Sequence, residues 1–207
     1  MNNIKEIKSL SHDVVNEKLN RIKKIFNKIP IIKGYGGYPY SAFSLTDFNP
    51  PMDPHLIEDM ADLIVYNGSF EKANLIVSEA DRGGGPLTQA VAMRTGLPYT
   101  LANWYPIQSM GSIKVATSVG FSGKGVICVY GIQKGDRVIV VDDLISSGGT
   151  AYALIESVNK VGATVIEADF VANKHNMGGE EKIKNKFNIP VNYLLSFEAL
   201  VEKTKVL

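Results

Sequence analysis

The chain has 207 residues, 45% of them hydrophobic, and a formal net charge of +1. That length is enough to bury a full core, and so small a positive excess announces no polyanion-binding surface, which excludes nucleic acid as a main partner. The one cysteine, Cys128, excludes an internal disulfide framework and fits a reducing cytoplasm. It stands in the apolar run 126–130, where a buried strand thiol is expected rather than a nucleophile. The amino-terminal stretch is polar and lysine-rich and no apolar run approaches membrane-spanning length, so the expectation is a soluble, cytoplasmic protein.

Val15, Leu19, Ile22 and Phe26 recur at helical spacing, with Lys18, Arg21, Lys23 and Lys24 on or near the opposite face, and predict an amphipathic helix with solvated lysines. Gly34, Gly36, Gly37 and Pro39 then interleave with Tyr35, Tyr38 and Tyr40 in an irregular aromatic segment, either a packed surface turn or a cover for a flat ligand. Asp53 and Pro54 form an N-cap and first-turn pair for a helix carrying Leu56, Ile57, Met60, Leu63 and Ile64. A core strand follows at 74–78, a helix at 86–95 closed by Gly96, and a second strand at 98–102. Between the first strand and its helix runs Glu79-Ala80-Asp81-Arg82-Gly83-Gly84-Gly85, at the carboxyl end of a strand, where α/β folds place ligands. Its glycines expose N–H groups to an anion, and Arg82 is either a cationic fork for phosphate oxygens or a partner for Glu79 or Asp81.

Residues 107–125 are rich in glycine and serine with a β-like run at 113–119, which predicts a mobile hairpin between core strands. Residues 137–141 are a β-branched apolar run, as expected of a parallel strand covered on both faces, and they lead into Asp142 and Asp143, two carboxylates expected on the rim of the sheet. Ser146, Ser147, Gly148, Gly149 and Thr150 come next, and Ala151, Leu154, Ile155, Val158 and Val161 continue at helical spacing until Gly162. Glycines that let the backbone approach, hydroxyl donors and the positive end of a helix together make a phosphate site. The two aspartates repel a phosphate but suit a neighbouring polyol or a metal ion, so a sugar phosphate satisfies both halves of the segment. A strand at 164–171, a helix at 179–187 and a strand at 191–196 complete the pattern. Strands alternating with helices predict an α/β fold with a doubly wound, mainly parallel sheet. The expected organisation is one domain over 1–207, with an N-terminal helix and hood segment at 1–53, a core at 54–207 and a flexible loop.

The acidic pair, two apolar residues, small hydroxylated residues and Gly-Gly-Thr of 142–150 are similar to the phosphoribosyl pyrophosphate motif of type I phosphoribosyltransferases. The likeness extends in order along the chain. Ala42 to Pro50 with Asp53-Pro54 resembles the segment of adenine phosphoribosyltransferases in which an aromatic precedes an Asp, a turn proline and an Asp-Pro helix start. Asp81-Arg82-Gly83 resembles their Ala-Arg-Gly pyrophosphate loop, and Phe170-Val171, Gly178 to Ile183 and Leu194 to Phe197 resemble their closing strand-helix-strand.

The resemblance implies a purine salvage enzyme that transfers the phosphoribosyl group from phosphoribosyl pyrophosphate to a purine, adenine favoured, with Mg2+, and a homodimer, as family members commonly are. By resemblance Asp142 and Asp143 hold the ribose hydroxyls and help the metal, and Ser146, Ser147, Gly148, Gly149 and Thr150 hold the 5′-phosphate. Arg82 and Gly83 face the pyrophosphate and Phe43 lies beside the purine ring. The sequence departs from the adenine enzymes in two ways. Asn103-Trp104 replaces their Arg-Lys, and no acidic residue occurs between Asp81 and Asp136, which leaves Lys114 or Lys124 as a cation for pyrophosphate. Ser146 stands where some 6-oxopurine enzymes carry an acid, favouring adenine, whereas Lys174 resembles in position their lysine for an exocyclic oxygen, with His175 beside it. The alternatives are a 6-oxopurine (xanthine, hypoxanthine or guanine) enzyme, a non-catalytic regulator that binds phosphoribosyl pyrophosphate, and a pyrimidine enzyme on the same scaffold.

Overall fold

The structure is a computed structural model that describes residues 3–105, 113–119, 123–199 and 203–207. In chain order its elements are α1 (Ile4–Lys8), α2 (His12–Phe26), β1 (Ile32–Lys33), β2 (Pro39–Tyr40), α3 (Ser44–Asp47), α4 (Pro54–Asn67), β3 (Leu75–Glu79), α5 (Gly84–Thr95) and β4 (Tyr99–Ala102). Then come β5 (Ile113–Val119), β6 (Gly123–Val129), β7 (Arg137–Ile145), α6 (Gly149–Lys160), β8 (Thr164–Lys174), α7 (Gly179–Phe187), β9 (Val191–Ala199) and β10 (Thr204–Val206). Among the described residues no helix is long and apolar enough to cross a membrane.

The central sheet runs β10-β9-β8-β7-β3-β4, and every pairing is parallel except that of β10 with β9. From β3 the chain steps outward to β4, crosses back to β7 and then proceeds through β8 and β9 in the opposite direction. The order therefore reverses between β3 and β7, and a crevice opens at their carboxyl ends. Apolar residues alternate between two cores: Ile76, Ile139 and Val141 face the layer of α1, α2, α4 and α5, whereas Val77, Val138 and Val140 face α6 and α7. Burial on both sides is why these strands read as unbroken apolar runs.

Local signals act where expected. The Asp53 side chain accepts from the His55 N–H to cap α4, and Ser11 accepts from Val14 to cap α2. Gly96 and Gly162 take left-handed conformations after their helices, at φ 72° and 79°.

Several expectations are corrected. The strand expected over 137–141 continues to Ile145, because β8 is eleven residues long and pairs with it past the acidic pair, Asp142 opposite Phe170 and Ile145 opposite Asn173. Asp142 and Asp143 are consequently buried within a strand and not on an open rim. Cys128 is the buried strand thiol expected, on β6, which pairs antiparallel with β5 over 113–119. This hairpin is packed on α6 through Val115, Ile127 and Val129. The flexibility expected of residues 107–125 falls in part on 106–112 and 120–122, outside the described residues.

Candidate active site

A cleft opens at the carboxyl ends of β3 and β7. Its walls bring together Asp142, Asp143, Ser146, Ser147, Gly148, Gly149, Thr150, Arg82, Lys174 and Phe43, which stand far apart in sequence. Gly83 lies against the floor, its N–H donating to the Asp143 carboxylate. Lys114 stands apart: it is exposed on β5 and does not line the cleft. The side chain of Lys124 is outside the described residues, and His175 is exposed.

The Ser146–Thr150 loop enters α6 through Gly148, whose φ of 70° makes it a left-handed N-cap. That conformation turns successive N–H groups towards one point at the positive end of the helix. The loop is braced from behind by α7. A Cβ on Gly148 would meet the Gly179 backbone at 3.0–3.1 Å, and one on Gly179 would overlap the Ser146 carbonyl oxygen. Lys182 of α7 also reaches the Ser147 carbonyl at 3.4 Å.

The floor is acidic and dry. Asp142 Oδ1 accepts from the Asp143 N–H at 2.9 Å, and Asp143 Oδ1 accepts from the Leu144 N–H at 2.6 Å. Burial pushes Asp143 up to about 7, against the pull of the Leu144 N–H, Arg82 and the Gly83 N–H. Burial and the neighbouring Glu79 and Asp143 raise Asp142 well above the usual carboxylate range. Glu79, also in the wall, is pushed to about 8 by burial, Asp143 and Asp81. The absent side chains of Gly83 and Gly84 make room for this pair: Cβ atoms there would lie 2.6 Å from Asp143 Oδ2 and 2.5 Å from Asp142 Oδ1. Carboxylates raised chiefly by burial, with hard oxygen donors, fit a divalent cation that takes its other ligands from substrate phosphates and water. Among the described residues no cluster of three or more side chains could enclose such an ion unaided.

Arg82 forms an ion pair with Asp47 of the hood. Its guanidinium donates to Asp47 Oδ1 at 2.9 Å and to the Tyr40 hydroxyl, 5.2 Å over the Tyr40 ring. Asp47 is itself held by the Tyr40 hydroxyl and by Thr46. The hood is thereby fastened to the glycine loop. Its aromatic segment is a cover of the cleft and not a surface turn, since Tyr38 and Tyr40 line it and the Tyr38 hydroxyl bonds Ser146 Oγ. Lys174 is 4% exposed; its ammonium donates to the Pro39 carbonyl and stands 4.5 Å from the Tyr38 ring centroid. Burial alone lowers it to about 8. Phe43 forms a wall from within an aromatic cluster, 4.8 Å from Phe26 and 5.4 Å from Phe197.

Glu79, Tyr38, Tyr40 and Phe197 are wall residues that sequence reasoning had not assigned to the site. For the tyrosines the interleaved glycines were the available signal. Phe197 gave none, because nothing local distinguishes a strand aromatic facing a cleft from one facing a core.

An enclosed anion loop, an acidic floor and a second glycine loop at the switch point of a doubly wound sheet define the type I phosphoribosyltransferase fold. Adenine phosphoribosyltransferase from Trypanosoma brucei, solved with AMP, pyrophosphate and ribose-5-phosphate, superposes on it with a TM-score of 0.72 at 19% identity, covering 90% of this chain and 82% of that one. The chain matches no protein-family model. Among curated relatives, a hypoxanthine/guanine phosphoribosyltransferase of Methanohalophilus mahii is 36% identical over 147 residues, 71% of this chain and 75% of the relative. That of Methanocaldococcus jannaschii is 30% identical over 186 residues, 90% of this chain and 99% of the relative. The chain belongs to the purine phosphoribosyltransferases, enzymes of purine salvage.

Proposed function

We propose that the cleft binds phosphoribosyl pyrophosphate with its 5′-phosphate on Ser146–Thr150, its ribose hydroxyls on Asp142 and Asp143 and its diphosphate against Arg82 and Gly83, and that the accepted base is a 6-oxopurine. The observation that carries the choice of base is Lys174, a buried ammonium in the cleft wall with a carbonyl as its partner, ready to exchange that carbonyl for the exocyclic oxygen of a base. The names of the curated relatives point the same way. Adenine is the second reading, favoured by Ser146, which offers no carboxylate to take a ring-nitrogen proton.

Transfer places positive charge on the ribose and additional negative charge on the departing diphosphate. The Asp142 and Asp143 carboxylates lie where they stabilise the first, and the start of α5 with Arg82 stabilises the second. Tyr38, Tyr40 and Phe43 exclude water from the reacting carbon. Mg2+ would be held by Asp142 and Asp143, directly or through water, and would neutralise charge on the diphosphate.

We further assign the enzyme to the cytoplasm, with which its single buried thiol is compatible, and to a homodimer. Exposed Met93 and Tyr99, beside the edge strand β4, offer apolar surface for the second copy.

The test is pyrophosphate release with hypoxanthine, guanine, xanthine and adenine in turn. Turnover with an oxopurine supports the proposal; turnover with adenine alone replaces it by the second reading. Asp142→Asn with Asp143→Asn is expected to abolish turnover while leaving the circular dichroism spectrum intact, and unimpaired turnover in that variant would falsify the site assignment.

A further inference from the structure

Glu79 ends β3 opposite Ala102 of β4, and Trp104 follows two residues beyond that partner. The indole N–H of Trp104 faces the Glu79 carboxyl. Yet Glu79 Oε2 and Trp104 Nε1 are both buried and both lack a partner at hydrogen-bonding geometry. A buried donor and a buried acceptor left unmade each carry an uncompensated desolvation cost, and a small rotation that joins them removes both. The two residues also bridge two regions. Glu79 lines the substrate cleft, whereas the six-membered ring of Trp104 lies over β6, so close to Gly125 that a Cβ there would sit 3.0 Å from Cζ3. Asn103, between them, exchanges backbone hydrogen bonds with Cys128 of the same strand. The hairpin in turn packs on α6, the helix that carries the phosphate loop.

We propose that Trp104 is a positioning residue for phosphoribosyl transfer: when the sugar diphosphate fills the cleft, its indole N–H closes on the Glu79 carboxylate and fixes the β4–β6 junction against the cleft floor. The proposal rests on the reading of the cleft as the phosphoribosyl pyrophosphate site. It gives the Asn103-Trp104 pair a task of its own: a ligand that touches Glu79 from the cleft side leaves Trp104 as the partner on the other side, and the backbone at Gly125 follows the indole.

Trp104 is the chain's one tryptophan, so emission from the intact protein reports on this contact without a label. Titration with phosphoribosyl pyrophosphate and Mg2+ is expected to change that emission in the wild type and in Glu79→Gln, whose amide oxygen still accepts, but not in Glu79→Leu. Trp104→Phe keeps a ring over Gly125 and removes the donor. Its KM for phosphoribosyl pyrophosphate is expected to stay within about twofold while kcat falls about tenfold, the pattern of a contact formed on binding whose energy goes into orienting the reacting groups and not into affinity. An equal emission change in Glu79→Leu, or an unaltered kcat in Trp104→Phe, overturns the proposal. Calorimetry separates this from a failure of the cleft assignment: if the wild type shows no heat of binding with phosphoribosyl pyrophosphate, both fall, whereas normal binding with unchanged emission removes only the role of Trp104.

Discussion

Lys174 has a carbonyl oxygen and the face of a tyrosine as its surroundings, with no carboxylate in contact with its ammonium among the described residues. Desolvation is unopposed, and the ammonium gives up its proton at about pH 8 instead of near 10.5. If the charged form donates to the base, kcat/KM for hypoxanthine falls as pH rises through about 8. Lys174→Arg supplies a guanidinium that does not titrate in this range, so that limb of the pH–rate profile is expected to vanish in the variant even where its absolute rate is lower. An identical limb in both proteins would assign the ionisation elsewhere, the base included. The role of Lys174 was half legible in the sequence: its place after a strand suggested a contact, but only the extension of β8 to residue 174 under the hood explains its burial.

At the level of elements, the Ser146–Thr150 loop, the proposed phosphate site, is braced by a helix about thirty residues downstream. Gly179 opens α7 against the Ser146 carbonyl, and no side chain fits between them. Gly179→Ala is expected to raise KM for phosphoribosyl pyrophosphate several-fold and to destabilise the fold by about 1–3 kcal/mol through overpacking. Gly178→Ala, at φ 73° with open space around its Cβ position, strains the same helix start without touching the loop. Its KM is expected to stay near that of the wild type, and steady-state kinetics on the two variants distinguishes displacement of the loop from weakening of α7. The helix and its bounds were readable from Gly179 and from the periodicity of 179–187. Its contact with a loop preceding α6 was not, because interlocking of two helix starts leaves no periodic trace. The end of β7 was misjudged for a related reason: carboxylates ordinarily stop a buried strand, and here the partner strand carries it on.

Across the whole molecule, two apolar cores hold the sheet from either side, yet a cluster of buried acids sits where they meet the cleft. Glu79, with its ordinary value of 4.5 raised to about 8, and Asp143, raised from 3.8 to about 7, bind more protons folded than unfolded. Their contribution to stability is complete below the unfolded values and is lost as pH rises through the folded ones. The ligand-free protein is therefore expected to lose thermal stability as pH rises from about 4 to about 8, levelling off above that, and Glu79→Gln to flatten the decline. Differential scanning calorimetry across that window checks it; a rising Tm in the wild type contradicts the sign. The sheet class and the order of its elements were legible because alternating apolar runs and helix stops are local properties. The neighbours of each strand were not, and neither was the antiparallel β10.

Arg82 belongs to the glycine loop by sequence and is held by Tyr40 and Asp47 of the hood. On the proposed placement of the substrate, one guanidinium links the diphosphate end of the cleft with the cover over the base. Departure of the diphosphate is then expected to loosen the anchorage of the cover, which would give release an order in time. Product-inhibition patterns are expected to show ordered release in the wild type and a weaker order in Asp47→Asn, where the ion pair is lost while Tyr40 still binds the arginine.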